Sequence, residues 1–181
     1  MKKQIFLILL LAAPVFFGCT TNDKTATAEV AAAPQAEKVS IPPMPFPATL
    51  TDDWTIGDPE KIRVVLNMYK NLEADTAYEE IKMHMAESLT NLSYDNKETK
   101  LTPEIFAQQA KKFRQGFTTL NEEFKSYVCL HSEKLSIDQV ILWVKETGVN
   151  KAGVADSSVY QEDWRFNRDG KIFYRGTYMR D

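Results

Sequence analysis

The sequence is poor in the residues that build cross-linked, repetitive or nucleic-acid-binding proteins. It has only 2 cysteines, 7 glycines, 8 prolines and 2 histidines in 181 residues. Two cysteines cannot form a disulfide framework, and glycine and proline are too scarce for collagen or low-complexity sequence. Its 22 basic residues are outnumbered by 25 acidic ones, which gives a net charge of −3. Because no strong basic field is available for a phosphate backbone, we expect no nucleic-acid partner.

The chain does contain a short apolar run near its start. Lys2 and Lys3 precede an uncharged, mostly apolar segment at residues 5–17. As a helix this segment would span about 20 Å, which is shorter than the ~30 Å hydrocarbon core of a bilayer. A positive start followed by so short a run is typical of an export signal rather than of a transmembrane helix.

The residues that follow, Gly18-Cys19, resemble the lipobox of bacterial lipoproteins. The resemblance implies a signal peptide at residues 1–18 and membrane attachment through lipidated Cys19. Because Thr20 stands where aspartate signals inner-membrane retention in some families, the resemblance favours the outer membrane of a Gram-negative cell envelope. An ordinary secreted protein cut nearby and an uncleaved anchor are the alternatives. Residues 19–50 are rich in alanine and proline and predict a tether.

Residues 51–181 predict one α+β domain. Three helix starts combine a capping side chain with an acidic first turn, at Asp58-Pro59-Glu60, Thr76-Ala77-Tyr78-Glu79 and Thr102-Pro103-Glu104. A short strand is predicted at residues 89–94. After Gly116 the hydrophobic period changes to two and predicts long strands at residues 123–131, 139–146, 158–167 and 171–180. This order favours three helices packed on one face of an antiparallel sheet.

The last predicted hairpin sorts its residues onto two faces. Asn167-Arg168-Asp169-Gly170 is typical of a three-residue loop with Gly170 in the left-handed region. The resulting register pairs Asn167 with Lys171, Phe166 with Ile172, Trp164 with Tyr174, Glu162 with Gly176, and Tyr160 with Tyr178. One face then collects Tyr160, Trp164, Phe166, Ile172, Tyr174 and Tyr178. On the other face Asp163 lies opposite Arg175, and a one-residue slip would exchange the faces.

Glu162 is the one carboxyl group on this aromatic face. Poor solvation would raise its pKa, so that it could remain protonated and donate a hydrogen bond. The alternative is a structural role in which Glu162 binds a tyrosine hydroxyl or a buried arginine. The sequence leaves both interpretations open.

The order of elements, together with Glu162–Asn167 and Gly170-Lys171-Ile172, resembles the nuclear transport factor two-like superfamily, also called SnoaL-like, over residues 58–180. The resemblance implies a cone-shaped fold, in which a curved antiparallel sheet wraps the helices and leaves a pocket. It also implies that a homodimer through the sheet is a candidate assembly. Members include isomerases, cyclases, dehydratases and non-catalytic binding modules, so the fold alone does not decide the function.

Within that superfamily, the resemblance to ketosteroid isomerases supplies candidate catalytic residues. Asp95 occupies the place of the base and Glu162 that of the protonated acid, while Tyr69 lies one position from the place of the helix tyrosine. A simple turn at Asp95-Asn96 is the alternative interpretation. The candidate ligand-pocket residues are Tyr69, Tyr160, Trp164, Tyr174 and Tyr178.

Metal and cofactor sites are not predicted. Cys129 and His131 fall on one side of a predicted strand, but two ligands do not make a zinc site. The leading hypothesis is a lipid-anchored cell-envelope protein whose cone binds a small apolar ligand or a partner protein without catalysis. The alternatives are a general acid–base enzyme using Asp95 and Glu162, and a dimerising scaffold subunit of an envelope complex.

Overall fold

The structure, a computed structural model, describes residues 45–46 and 48–179 of the chain. The predicted signal peptide, the lipidation site Cys19 and most of the predicted tether lie outside the described residues. Within the described part, the helices are α1 (Pro59–Glu73), α2 (Tyr78–His84) and α3 (Pro103–Arg114). The strands are β1 (Thr55–Ile56), β2 (Met85–Leu92), β3 (Glu98–Leu101), β4 (Phe117–Ser132), β5 (Ile137–Asn150), β6 (Ala155–Phe166) and β7 (Ile172–Met179). None of the described helices is long and apolar enough to cross a membrane.

Two of the three predicted helix starts are confirmed by their capping bonds. The Asp58 carboxylate accepts from the Glu60 amide at 2.9 Å, and the Thr102 hydroxyl accepts from the Ile105 amide at 3.3 Å. The predicted capping box at Thr76 is wrong, because α2 begins after Ala77, which has a left-handed φ of 55° and provides no side-chain cap. The Thr76 amide instead donates to the carbonyl of Asn71 and ends α1.

The strands form one seven-stranded sheet within the described residues, in the order β1-β4-β5-β6-β7-β2-β3. The predicted α+β class, with three helices packed on a curved sheet, is confirmed. The sheet is mixed rather than wholly antiparallel, because β2 pairs with β7 in parallel. β1 and β3 were not predicted, because they are too short to show a period of two.

The core lies between α1 and the inner face of the sheet. Alternate residues of β5 point inward, and Val140, Leu142 and Val144 are completely buried. From α1, Tyr69 packs edge-on against Trp164, with ring centroids 6.4 Å apart. The other buried members of this core include Val65, Met68, Ile81, Leu89, Phe106, Phe166 and Ile172.

The β6–β7 hairpin begins as predicted and then departs from the predicted register. Gly170 has a φ of 71° and its amide donates to the carbonyl of Asn167, and Phe166 pairs with Ile172. An extra residue, Phe173, then forms a bulge that shifts every later pair by one. The observed pairs are Arg165 with Tyr174, Trp164 with Arg175, Asp163 with Gly176, Glu162 with Thr177, Gln161 with Tyr178, and Tyr160 with Met179. The predicted pairs beyond Phe166 are therefore wrong, and β7 presents Arg175 and Thr177 to the inner face.

Candidate functional site

The candidate site is the polar centre of the inner face, built around Glu162 on β6. Glu162 is 0% exposed, and its neighbours two residues away on the strand, Tyr160 and Trp164, are also buried. Alternation along β6 sends these three side chains to the same face. The prediction that Glu162 lies among aromatic residues is therefore confirmed.

Four donors surround the Glu162 carboxylate. Oε2 accepts from the Tyr69 hydroxyl and, at 2.8 Å, from Trp164 Nε1. Oε1 accepts from Arg175 Nη2 and, at 3.2 Å, from the Thr177 hydroxyl. A carboxylate offers about four acceptor positions, so the protein itself fills all of them. The contacts agree with the structural role that the sequence left open for Glu162, in which it binds a tyrosine hydroxyl or a buried arginine, and here it binds both.

Arg175 is the member of this network that the sequence analysis placed wrongly. Its predicted place was the outer face opposite Asp163, but the bulge at Phe173 turns it inward. Although burial opposes its charge, the adjacent Glu162 carboxylate raises the pKa of the Arg175 guanidinium above its ordinary value. Its side chain is 28% exposed, and Nη1 donates to Asn91 Oδ1 at 3.3 Å. Arg175 therefore connects the buried carboxylate to the protein surface.

Tyr69 on α1 donates to Glu162 through a phenol group that stays in its neutral form. It is 6% exposed, and its ring also packs edge-on against Phe124 at 5.2 Å. Burial, and after it the charge of Glu162, raises the pKa of Tyr69 well above its ordinary value. Tyr69 thus remains protonated and donates to Glu162 at any physiological pH.

A second group of carboxyls lies beside this network. The Tyr160 hydroxyl donates to Glu122 Oε2 at 3.0 Å, and Glu122 on β4 lies directly opposite Glu146 on β5. Burial, followed by the neighbouring charge of Glu146, raises the pKa of Glu122 to about 9. Burial also raises the pKa of Glu146. Neither residue was predicted to belong to the site, because no local pattern indicates which residues of two long strands become cross-strand partners.

Asp95 is not part of the inner face. It is exposed in the turn between β2 and β3, where its carboxylate accepts from the Ser93 hydroxyl and from the Lys97 amide. The bond from Ser93 lowers the pKa of Asp95. Asn96 beside it has a φ of 60°, as a tight turn requires. The structure therefore supports the turn alternative and does not bring Asp95 together with Glu162.

The five predicted pocket residues fall on opposite faces of the sheet. Tyr69, Tyr160 and Trp164 lie on the inner side, as described above. Tyr174 and Tyr178 lie on the outer face, because the bulge at Phe173 moves them there. The Tyr174 ring lies 4.4 Å from the Arg165 guanidinium, and its hydroxyl lies 3.4 Å from that of Tyr178. Their assignment to an inner pocket is corrected accordingly.

The remaining candidates do not combine into a metal centre. Burial raises the pKa of the free Cys129 thiol to about 11. His131 instead binds Asp138, with 2.9 Å between Nδ1 and Oδ1. Among residues 45–46 and 48–179, no group of three or more histidine, cysteine or acidic side chains is placed to hold a metal ion.

Two surface clefts, of about 440 and 290 Å³, lie where the β4–β5 and β6–β7 turns approach each other. Both are lined by Ser136, Ile137, Asn167 and Arg168. Neither contains a candidate catalytic or pocket residue from the sequence analysis. The inner-face network therefore remains the candidate site.

Comparison with known proteins identifies the fold and leaves the activity open. No family model and no curated protein matches the sequence. A nuclear transport factor two-like protein from Salmonella enterica serovar Typhimurium is similar in structure, with a TM-score of 0.56 and 8% identity over 67% of this chain and 89% of that one. A putative SnoaL-like polyketide cyclase from Jannaschia sp. has a TM-score of 0.50 and 13% identity over 66% of this chain and 85% of the other.

A third similar structure contains a bound pigment. The Orange Carotenoid Protein of Anabaena (Nostoc) sp. PCC 7120, in a structure binding canthaxanthin, has a TM-score of 0.51 and 18% identity. The match covers 64% of this chain and 35% of that protein. At such identities the likeness establishes the fold alone. The described part of this chain has the nuclear transport factor two-like fold, which ligand-binding proteins and cyclases share.

Proposed function

We propose that the chain is a non-catalytic, protein-binding domain held at the bacterial cell envelope by lipidated Cys19. The observation that carries the proposal is the saturation of Glu162 by four donors from the protein. A general acid or base must lie within about 2.6–3.2 Å of the substrate proton that it transfers. A buried carboxylate whose acceptor positions are all filled has no position left for a substrate.

The position of Asp95 supports the same conclusion. The isomerase alternative requires Asp95 and Glu162 to act on one small substrate. Asp95 is exposed and bound within its own turn, whereas Glu162 is wholly buried. A substrate in contact with one carboxyl would have no direct route to the other.

The packing of the inner face favours a protein over a small apolar ligand as the binding partner. Trp164, a predicted pocket residue, is 3% exposed and packs against Phe106, which is 8% exposed, with 6.1 Å between the ring centroids. A ligand entering here would have to displace side chains that already make close contacts. The Orange Carotenoid Protein structure supports the small-ligand alternative, because that protein contains a similar fold and binds canthaxanthin.

The outer face of β6 and β7 is the surface that we assign to protein binding. Val159 and Tyr178 are 40% and 39% exposed there, and Tyr174 lies beside them under Arg165. Asp163 accepts from Arg165 at 2.9 and 3.2 Å, so this face carries one charge of each sign. Since Asp163 is 4% exposed and these two charges already pair within the chain, the surface left for a partner is the uncharged patch of Val159 and the two tyrosines. A two-fold contact brings such an uncharged patch against its own copy without burying an unpaired charge. The occupant that we propose is a second copy of the chain.

Native mass spectrometry of the full chain in detergent micelles tests the binding mode. We expect a dimer without a bound small molecule. Tyr178→Lys on the outer face should give monomers, whereas Tyr94→Lys should leave the dimer intact, because Tyr94 is exposed in the β2–β3 turn. A monomer that releases an apolar molecule on gentle denaturation would favour the small-ligand alternative instead.

Metabolic labelling with an alkyne fatty acid tests the anchor. We expect the chain to incorporate the label and to fractionate with membranes, and Cys19→Ala to abolish both. An unlabelled wild-type chain in the soluble fraction would contradict the lipid anchor and favour an ordinary secreted protein cut nearby.

A further inference from the structure

A pair of carboxyl groups lies on the inner face where α1 ends. Glu122 on β4 and Glu146 on β5 are direct cross-strand partners. The Glu122 amide donates to the side chain of Glu73, the last residue of α1. Oε2 of Glu122 accepts from Tyr160, whereas Oε1 is buried and has no hydrogen-bond partner among the described residues. A buried carboxyl oxygen without a donor can be satisfied by a proton that it shares with a neighbouring carboxyl group, and a hydrogen bond with Glu146 is among the causes that raise the pKa of Glu122.

The charges around this pair do not neutralise it. The titratable or charged groups facing it from neighbouring elements are Tyr69 and Glu73 on α1, Arg114 on α3, Tyr160 and Glu162 on β6, and Arg175 on β7. The charge of Arg175 is matched by Glu162, and Arg114 donates to the main-chain carbonyls of Glu73 and Phe117. Within the described residues, neither Glu122 nor Glu146 forms an ion pair.

Two ionised carboxylates would repel each other at this position. The Cβ atoms of direct cross-strand partners lie about 4.5–5.5 Å apart. Like charges at such a separation, in a partly buried site, disfavour double ionisation, and the pair retains one proton between them. The partial burial of Glu122 and Glu146 strengthens this preference.

The strand segment that carries Glu122 is bounded by irregularities. The pairing of β4 with β5 shifts register between Phe117 and Thr119, and again between Phe124 and Ser126. Strands bend where such irregularities interrupt the ladder. Residues 119–124 therefore form a short stretch of ladder, paired with residues 144–149 and separated from the rest of β4 by the two irregularities.

We propose that Glu122 and Glu146 form a proton-dependent latch between residues 119–124 and β5. With the shared proton in place, the pair adds a side-chain contact to the main-chain ladder that holds this segment against β5. When the proton is lost, the two carboxylates repel and the segment separates from its neighbour. The latch does not depend on what the protein binds.

The direction of the pH effect follows from the pKa shifts. The pKa of Glu122 is raised from 4.5 to about 9, and that of Glu146 is raised from 4.5 as well. An acid whose pKa is higher in the folded state stabilises the fold fully below its unfolded pKa. That stabilisation declines as the pH rises toward the folded pKa. The latch is therefore closed in acid and loosens between about pH 5 and pH 9.

Hydrogen exchange of the full chain in detergent, at pH 6 and pH 8, tests the latch. After correction for the intrinsic exchange rate, we expect the amides of residues 119–124 to be up to about 100-fold less protected at pH 8 than at pH 6. The reason is that the equilibrium constant of an opening that releases one proton rises tenfold for each pH unit. Glu122→Gln keeps an acceptor for Tyr160 but cannot ionise, so its protection should be the same at both pH values. Glu87→Gln, at an exposed position on β2, is the matched control and should behave like the wild type.

Two outcomes would overturn the proposal. The first is equal corrected protection of residues 119–124 at both pH values in the wild type. The second comes from direct NMR titration of the side-chain carboxyl carbons, which requires no variant. We expect one member of the pair to titrate above pH 6, and titration of both below about pH 5, as for unperturbed glutamates, would exclude a shared proton.

Discussion

Arg175 on β7 donates to the carboxylate of Glu162 on β6, although the two residues are not opposite each other in the sheet. Glu162 lies opposite Thr177, and Arg175 lies opposite Trp164, so the ion pair is diagonal. The bulge at Phe173 makes this contact, because without it Arg175 would face outward. A buried ion pair of this kind stabilises the fold only while both partners are present.

Arg175→Met should therefore be strongly destabilising. It leaves the Glu162 carboxylate buried without its cation, and we expect the free energy of unfolding to fall by roughly 3 kcal/mol. Urea denaturation of the variant measures the change. Adding Glu162→Gln should recover part of the loss, because the uncompensated charge is then removed. Arg63→Met, at a 71% exposed position on α1, should change stability by less than about 0.5 kcal/mol.

Tyr69→Phe should have a smaller effect of the same kind. The variant removes one donor from Glu162 Oε2 but leaves Trp164 in place, and we expect a loss of about 1–2 kcal/mol in the free energy of unfolding. Tyr78→Phe is the control, because the Tyr78 hydroxyl donates to the exposed Asp75 at 2.8 Å. Equal losses in the free energy of unfolding would show that the bond to Glu162 stabilises the fold no more than the exposed bond to Asp75.

The two histidines should titrate in opposite directions from the ordinary value. Hydrogen bonds to Asp138 and Glu133 raise the pKa of His131, whereas burial, and then Lys171, lowers that of His84. NMR titration should therefore place His131 above 6.5 and His84 below it. The stabilising contribution of His131 is complete below its unfolded pKa and is lost as the pH rises through its folded pKa. Asp138→Asn should lower the His131 pKa, and an unchanged value would contradict this assignment.

The Cys129 thiol should not react in the folded protein. It is 2% exposed, and burial raises its pKa to about 11, so alkylation at pH 8 should proceed only after unfolding in urea. Gly57→Ala should increase the rate, since its Cβ would lie 2.7 Å from Cys129 Sγ and displace the strands around it. Ala152→Ser, at an exposed position in the β5–β6 turn, should leave the rate unchanged. The assay is done with Cys19→Ala as background.

Local chemistry made part of the fold predictable. The caps at Asp58 and Thr102 and the Asn167–Gly170 turn depend on a few adjacent residues, and the structure confirms all three. The capping box at Thr76 does not form, because the Thr76 amide that Glu79 would bind donates instead to the Asn71 carbonyl at the end of α1. The residue types at positions 76–79 fit a capping box in either case, so the sequence alone could not show that the Thr76 amide is already bound.

The candidate site was harder to predict, because it depends on register between distant strands. Glu162 could be identified by its position among aromatic residues, and the alternative of a bound arginine was already open. Which arginine binds it depends on the bulge at Phe173, and no residue type near Phe173 indicates a bulge. The pairing of Glu122 with Glu146 likewise depends on how two long strands align.

The place of β7 in the sheet also affects the order in which the fold can be completed. Residues 172–179 lie between β6 and β2, so they join the β2–β3 hairpin to the β4–β6 meander. Until these residues have been synthesised, the two parts of the sheet have no strand between them. Such late, long-range pairing folds slowly and leaves two strand edges open in the meantime. During synthesis, the incomplete sheet therefore exposes these two edges, on β6 and on β2, for longer than a meander of consecutive strands would.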